Sequence, residues 1–304
     1  MFPRVSAGIA IGPRDASTPS GQLSAADLAL YRVKDSGGDA YRFFDLEMHE
    51  RALERVTIEA ELHRALERDE LLLHYQPTVD LLTGRVISVE ALVRWQHPDR
   101  GLIPPIDFIP IAEHSGLSRM VTAWVLEHAS RQLKAWRDAG FAGFRIAVNA
   151  SSRDVHGDLA VLVERILAEG GLPADALGIE ITERVFGDTD HVLDTRLGEL
   201  KELGVHITLD DFGTGWSSLS RLHSFPVDTL KIDQTFTGAL QRDGAIVRSI
   251  ISLGHNLDLR VVAEGVETAT QLDLLRDGGC HEGSGFHICV PLSAEELTAW
   301  LHAR

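Results

Sequence analysis

From Val56 onward, short β-branched runs alternate with amphipathic helical stretches, and this alternation constrains the fold more than any other feature. The runs are LLLHYQPTVDL (71–81), VISVEALVRW (86–95), FRIAVNAS (144–151), LGIEITERV (177–185), VHITLDDFG (205–213), DTLKIDQ (228–234), LRVVAEGVE (259–267) and SGFHICV (284–290). Stretches of helical period separate most of them, such as VTAWVLEHASRQLKAWRDAG (121–140) and AIVRSIISLGHNLD (245–258). A strand that feeds a helix and then another strand gives parallel neighbours. Eight such units in about 250 residues predict an α/β fold of the (β/α)8 TIM-like barrel type. Periodicity does not prove closure, so a doubly wound open sheet is the alternative.

Six successive runs deliver polar groups near their C-terminal ends: Glu90, Asn149, Glu180 with Glu183, Asp210 with Asp211, Lys231 with Asp233, and Glu264 with Glu267. In a barrel these ends share one mouth, where active sites are built. Any one of these acids alone reads as a helix N-cap or a solvated loop residue. Six in a row read as a ring of hard oxygen donors. Such a ring repels itself by several kcal/mol at an effective dielectric of ~20, and divalent cations offset that. Carboxylate and amide oxygens suit Mg2+ or Mn2+. Two such ions ~3.5–4 Å apart, sharing a carboxylate, are the usual device for in-line attack on a phosphodiester. Lys231 reads equally as an ammonium at that site or as a salt-bridge partner of Asp233. His97, His206 and His255 stand alone and read as structural or exposed. Neighbours on a regular strand point to opposite faces. Asp210 and Asp211 therefore serve one site only if the strand ends there and the chain turns, which Gly213 and Gly215 permit.

The first ~50 residues read as strand (RVSAGIAIGP, 4–13), helix (LSAADLALYRVKDSGG, 23–38) and strand (DAYRFFD, 39–45), too little to bury a core alone. They either pack on the main body or end a domain that begins upstream. The 45 acidic against 29 basic residues, a formal charge of −16, exclude DNA or RNA coating, because phosphate backbones need a basic face. A small phosphate ligand held through metal ions remains. With only two cysteines, Cys280 and Cys289, no disulfide framework is expected and a reducing compartment is. No apolar run approaches the ~18 residues of a membrane span, and the opening is too short for a signal peptide. The expectation is a cytoplasmic fragment without membrane contact, whatever anchor lies upstream in a longer protein.

YQP (75–77), EALVRW (90–95), EITE (180–183), DDFGTGWSSL (210–219), LKID (230–233) and AEGVE (263–267) occur in this order. Over roughly residues 56–304 the chain thereby resembles the EAL domain family of bacterial cyclic-di-GMP phosphodiesterases. The resemblance implies a (β/α)8 barrel whose first strand runs antiparallel. It implies hydrolysis of one phosphodiester of cyclic di-GMP to linear pGpG with two Mg2+ or Mn2+ ions. Glu90, Asn149, Glu180 and Asp210 would hold one ion. Asp210 would bridge to the second, with Asp211 and Glu264 beside it. Catalysis would involve Glu264, discussed in the family as a general base, and Lys231, which would contact the attacking water. It would also involve Asp211, and Glu183, which would pin the DFGTGWSS loop. Arg94 would bind a substrate phosphate, for which a guanidinium is well shaped. Gln76, Leu92 and Asp233 would line the substrate site, with Glu267 as a supporting acid. A homodimer is implied, with the DFGTG loop tied to its contact.

VSAGIAIGP followed by ADLALYRVKDSGGDAYRFFD resembles the last strand–helix–strand portion of a GGDEF, or diguanylate cyclase, domain, without the cyclase signature. This implies a domain remnant over 1–50 and an EAL domain over 51–304. The last strand departs from the family pattern. His281, Ser284, Phe286 and Val290 stand where Asp, Gln, Tyr and Arg are usual, and Ser284 is too short to replace a glutamine amide. VNAS replaces the usual NLS around Asn149 and leaves the ligand amide intact. These departures give the alternative reading, a cyclic-di-GMP receptor without turnover.

Overall fold

The computed structural model describes residues 5–35, 38–183, 191–215, 222 and 224–304. The chain divides into two units, Met1–Arg64 and Ala65–Arg304, with the boundary inside the helix Leu46–Glu67.

In the first unit, β1 (Ala7–Ile9) and β2 (Tyr41–Phe43) pair in parallel, with Ala7 opposite Tyr41 and Ile9 opposite Phe43. Parallel neighbours need a crossover, here the helix Pro19–Asp35. Ala25 and Ala29 are four residues apart and so share a helix face; both are buried with Phe44, and Ala10 and Leu28 pack on them.

The second unit contains β3 (Leu71–Asp80), β4 (Val86–His97), β5 (Gly101–Ile103), β6 (Arg145–Asn149), β7 (Leu177–Thr182), β8 (His206–Phe212), β9 (Thr229–Ile232), β10 (Arg260–Ala263) and β11 (Glu282–Gly283). The sheet order is β3-β11-β10-β9-β8-β7-β6-β4-β5, and an added β3–β4 pairing closes eight strands into a barrel. β3 is antiparallel to both its neighbours, and the other barrel neighbours pair in parallel. The barrel is closed, so the open-sheet alternative falls away.

The barrel strands alternate regularly. Ile146, Val148, Ile179, Ile181, Ile207, Leu209, Leu230, Ile232 and Val261 are buried. The intervening set, among them Arg145, Glu180, His206, Thr208, Thr229, Lys231 and Glu282, lines a narrow cavity inside the barrel. Apolar residues thus anchor the barrel to its helices while polar ones project along its axis.

The last strand differs from the expectation. It is Glu282–Gly283, and Ser284–Val290 is not a strand. The Ile288 and Cys289 amides both donate to Gly285 O, so the backbone spends its hydrogen bonds on a local turn. Phe286 and Val290 are accordingly exposed, at 65% and 46%. Among the helices that periodicity does not reveal, two are long. Pro105–Ser115 hides behind its prolines, yet Pro105 sits at the helix start where its missing N–H costs nothing, and Phe108 and Ala112 are buried. Ala294–His302 opens with a capping box between Ser293 and Glu296, and its Thr298 accepts from Trp136 Nε1 at 2.8 Å.

Candidate metal and active site

Lys231 lies on β9 and is 3% exposed. Its ammonium stands 2.6 Å from Glu264 Oε1, 2.7 Å from Glu180 Oε2, 3.2 Å from Glu90 Oε2 and 3.5 Å from Asp210 Oδ1. Four strands besides its own therefore converge on one cation. The salt-bridge reading with Asp233 is replaced: the Asp233 side chain caps the next helix, accepting from Thr235 N at 2.9 Å. Asn149 Nδ2 donates to Glu90 Oε1 at 2.7 Å, which brings the amide to the same cluster.

The adjacent acids Asp210 and Asp211 are reconciled with one site differently from the sequence reading. The strand does not end at Asp210 but continues to Phe212, and its register with β9 shifts between Leu209 and Phe212. Asp211 itself takes the left-handed conformation, with φ 56°. Aspartate tolerates that region better than most residues, and the irregularity turns a second carboxylate toward the face of the first. Asp210, Asp211 and Glu264 each offer an oxygen, and these atoms all lie within 4.8 Å of one another.

The electrostatics follow from this crowding. Burial pushes Glu264 up to about 8, opposed by Lys231 and reinforced by Asp210 and Glu90. Asp211 is pushed up to about 6 by burial and by Asp210 and Asp233. Burial, together with Glu90, also raises Asp210 and, by more, Glu180, against the pull of Lys231. Burial works against the Lys231 ammonium, but Asp210, Glu180, Glu264 and Glu90 outweigh it and hold its pKa well above the ordinary range. One positive charge facing four carboxylates leaves the cluster short of cations. A donor set of carboxylate and amide oxygens fits Mg2+ or Mn2+.

Glu183 lies just past β7, and its Oε2 accepts from Gly213 N at 2.8 Å and Gly215 N at 3.0 Å. It thus grips the backbone that follows Asp211. Trp216, Ser217 and Ser218 of the same loop lie outside the described residues. Gln76, Leu92 and Arg94 come together through the antiparallel β3–β4 pair, in which Gln76 faces Glu90 and Leu92 and Arg94 follow at alternate positions. Gln76 Nε2 donates to Cys289 O at 3.2 Å, tying β3 to the segment after β11. Glu267 is exposed, with its backbone N–H given to Gln271 Oε1, and stands outside the cluster.

Three further residues contribute that the sequence motifs do not point to. Leu72 and His74 lie opposite Arg94 and Leu92 in the β3–β4 register, so they share that face; counting back by twos from Gln76 would have found them. Burial and the Arg94 charge lower the His74 pKa. Asp154 is buried and accepts from Ser151 N at 2.8 Å, Thr122 Oγ1 at 3.0 Å and Ser118 Oγ at 3.2 Å. It fixes the turn directly after Asn149, and its S-x-x-D capping pattern was visible in SSRD.

The closed (β/α)8 barrel, with a ring of oxygen donors around a buried lysine at its mouth, defines a TIM-like barrel with a cluster of acids that could hold a metal ion. The EAL domain profile matches residues 59–291, and the chain belongs to the EAL domain family. It is 43% identical over 303 residues to the bifunctional diguanylate cyclase/cyclic di-GMP phosphodiesterase MucR of Pseudomonas aeruginosa, covering 97% of this chain and 44% of that protein. It is 37% identical over 304 residues to the cyclic di-GMP phosphodiesterase PdeR of Escherichia coli, covering 99% of this chain and 46% of that protein. The solved PaMucR phosphodiesterase in complex with c-di-GMP is similar with a TM-score of 0.77 and 42% identity, over 79% of this chain and 99% of that one. The chain spans less than half the length of these two curated relatives.

Proposed function

We propose that this chain hydrolyses one phosphodiester bond of cyclic di-GMP, giving linear pGpG, with two Mg2+ or Mn2+ ions as cofactors. The observation that carries the reading is the cluster itself: Lys231 within 3.5 Å of four carboxylates, beside three acids whose oxygens lie within 4.8 Å of one another. Glu90, Asn149, Glu180 and Asp210 would hold one cation, and Asp210, Asp211 and Glu264 the other. Bound there, the ions would polarise the phosphate and ease ionisation of water. Lys231 would orient the attacking water and offset charge on the phosphate. Glu264 would also be placed to accept a proton from that water. Arg94, Gln76 and Leu92, with Leu72 and His74 beside them, would seat the nucleotide. Glu183 would fix the segment that carries Asp211. The N-terminal β–α–β unit is consistent with the end of a GGDEF-like domain in a longer protein.

Incubation with cyclic di-GMP and either metal, with products resolved by chromatography, tests the reading. pGpG formation is expected, and Asp210→Ala should reduce it to background. No product above that background sinks the reading. The altered residues after the last strand, with Ser284 where a glutamine and Val290 where an arginine is usual, favour the second reading, a receptor without turnover; calorimetric binding of cyclic di-GMP without product would select it.

A further inference from the structure

The other end of the barrel holds a cavity of about 380 Å³ near the starts of β6 and β8, lined by Arg137, Arg145, Lys201 and His206 with Asp175. Lys201 is committed to an ion pair with Asp228. His206 bonds to Thr229 Oγ1 at 2.8 Å, and burial, helped by the Arg145 charge, pushes its ring down to about 4, so it is neutral at pH 7. Asp175 is exposed. That leaves Arg137 and Arg145, both half-buried. Among the described residues neither guanidinium makes a hydrogen bond or an ion pair, although Glu282, Asp228 and Asp175 act on Arg145 through space.

A guanidinium carries five N–H donors in a fixed fork, and leaving such donors unmade away from bulk water is costly. Two forks and two charges in one cavity match an oxyanion with two charges. A phosphate monoester is largely dianionic at pH 7, with a second pKa of about 6, and its oxygens accept bidentate Arg contacts. The volume lies in the range of small-ligand sites, about 300–1,000 Å³, and leaves room for a group esterified to the phosphate. We propose that this floor cavity binds a small phosphate-bearing anion, gripped by Arg137 and Arg145. The inference does not rest on the reaction proposed for the mouth.

The test is titration calorimetry on the full chain, kept free of divalent cations, with inorganic phosphate, phenyl phosphate and succinate as probes. Saturable binding of one equivalent of phosphate or phenyl phosphate is expected, with a Kd below about 1 mM. Tighter binding of phenyl phosphate assigns the site to a monoester, and tighter binding of phosphate assigns it to the free ion. R137Q and R145Q should each weaken binding at least about tenfold, as expected for a lost hydrogen bond to a charged group. R137Q should keep the parent circular dichroism and Mn2+ affinity, so the test stands even where R145Q fails to fold. Three results overturn the proposal: no saturable binding of either phosphorus probe at about 10 mM, unchanged binding in R137Q, or succinate binding more tightly than both.

Discussion

The two ends of the barrel treat charge in opposite ways. At the mouth, one lysine faces Glu90, Glu180, Asp210 and Glu264. At the floor, charges are matched or left positive: Arg260 grips Glu282 through two nitrogens at 2.9 and 2.8 Å, Lys201 pairs with Asp228, and Arg145 and Arg137 line an open cavity. The same strands supply both ends, because the inward-facing residues of one strand pass from floor to mouth, as His206, Thr208 and Asp210 do on β8. A barrel stabilised by its outward apolar set is free to polarise its interior. The mouth carries a deficit of positive charge, whereas the floor pairs its acids and keeps arginines to spare.

The largest effect should come from removing the lysine. Lys231→Met leaves four acids around an apolar side chain, and breaking a buried pair in this way costs about 3–5 kcal/mol. Urea unfolding of the metal-free protein measures it, and saturating Mg2+ should recover part of the loss. A metal-free variant as stable as the parent would mean that the acids do not depend on the lysine, and the contrast between the ends would fail.

pH sharpens the contrast, since the two ends shift stability in opposite directions. Glu264 at about 8 and Asp211 at about 6 keep protons that an unfolded carboxylate releases near pH 4. The stability they contribute is present below pH 4 and is lost as pH rises through 6 to 8. His206 at about 4 refuses a proton that the unfolded imidazole takes up below about 6.5. Its contribution is present above pH 6.5 and is lost as pH falls toward 4. Two acids outnumber one imidazole where the windows overlap, so the thermal midpoint of the metal-free protein should fall as pH rises from about 4 to 8, with His206 offsetting part of the fall below pH 6.5, and Mg2+ should flatten the fall. A decline that Mg2+ leaves untouched would place its cause away from the mouth.

A smaller effect is expected at the floor. Arg260→Met strands the carboxylate of Glu282, which is 4% exposed, and an unsatisfied buried acceptor costs about 1–3 kcal/mol. Urea unfolding checks the cost, while Mn2+ affinity should stay at the parent value. A fall in Mn2+ affinity would show that the two ends communicate along the axial cavity, whose lining includes both Glu282 and Lys231.

The barrel was legible because its alternation is a long-period signal carried by many residues, and the acids were legible because each closes an apolar run. What was not legible had local causes. Ser284–Val290 has the apolar spacing of a strand, but turn hydrogen bonds to Gly285 O outcompete the ladder. Pro105–Ser115 reads as a broken segment because of its prolines; Pro105 sits at the helix start, where its missing N–H costs nothing, while Pro110 lies inside the helix and forgoes a backbone bond. Leu72 and His74 lie on a strand whose partner and direction no periodicity reveals. For Lys231, sequence proximity suggested Asp233, whereas the fold supplies carboxylates from β4, β7, β8 and β10.

The smallest effect should appear where the mouth meets its loop. A Cβ added at Gly215 would lie 3.1 Å from Glu183 Cδ and Oε1, so the carboxylate must yield by a few tenths of an ångström. At Gly213 the same addition would lie 2.7 Å from Phe236, at a φ of 101° that side chains rarely adopt. Gly215→Ala should therefore cost less than about 0.5 kcal/mol in stability, as for an exposed substitution, and Gly213→Ala about 1 kcal/mol or more. Function should separate the two costs. Glu183 holds Gly213 N and Gly215 N with a single oxygen, so displacing it in Gly215→Ala loosens the backbone next to Asp211 without unfolding the barrel. Turnover of cyclic di-GMP should drop several-fold while the urea midpoint barely moves, because a misplacement near 1 Å is enough to slow chemistry. Turnover that falls only in step with stability would reduce Glu183 to a structural brace and detach the loop from the charge balance at the mouth.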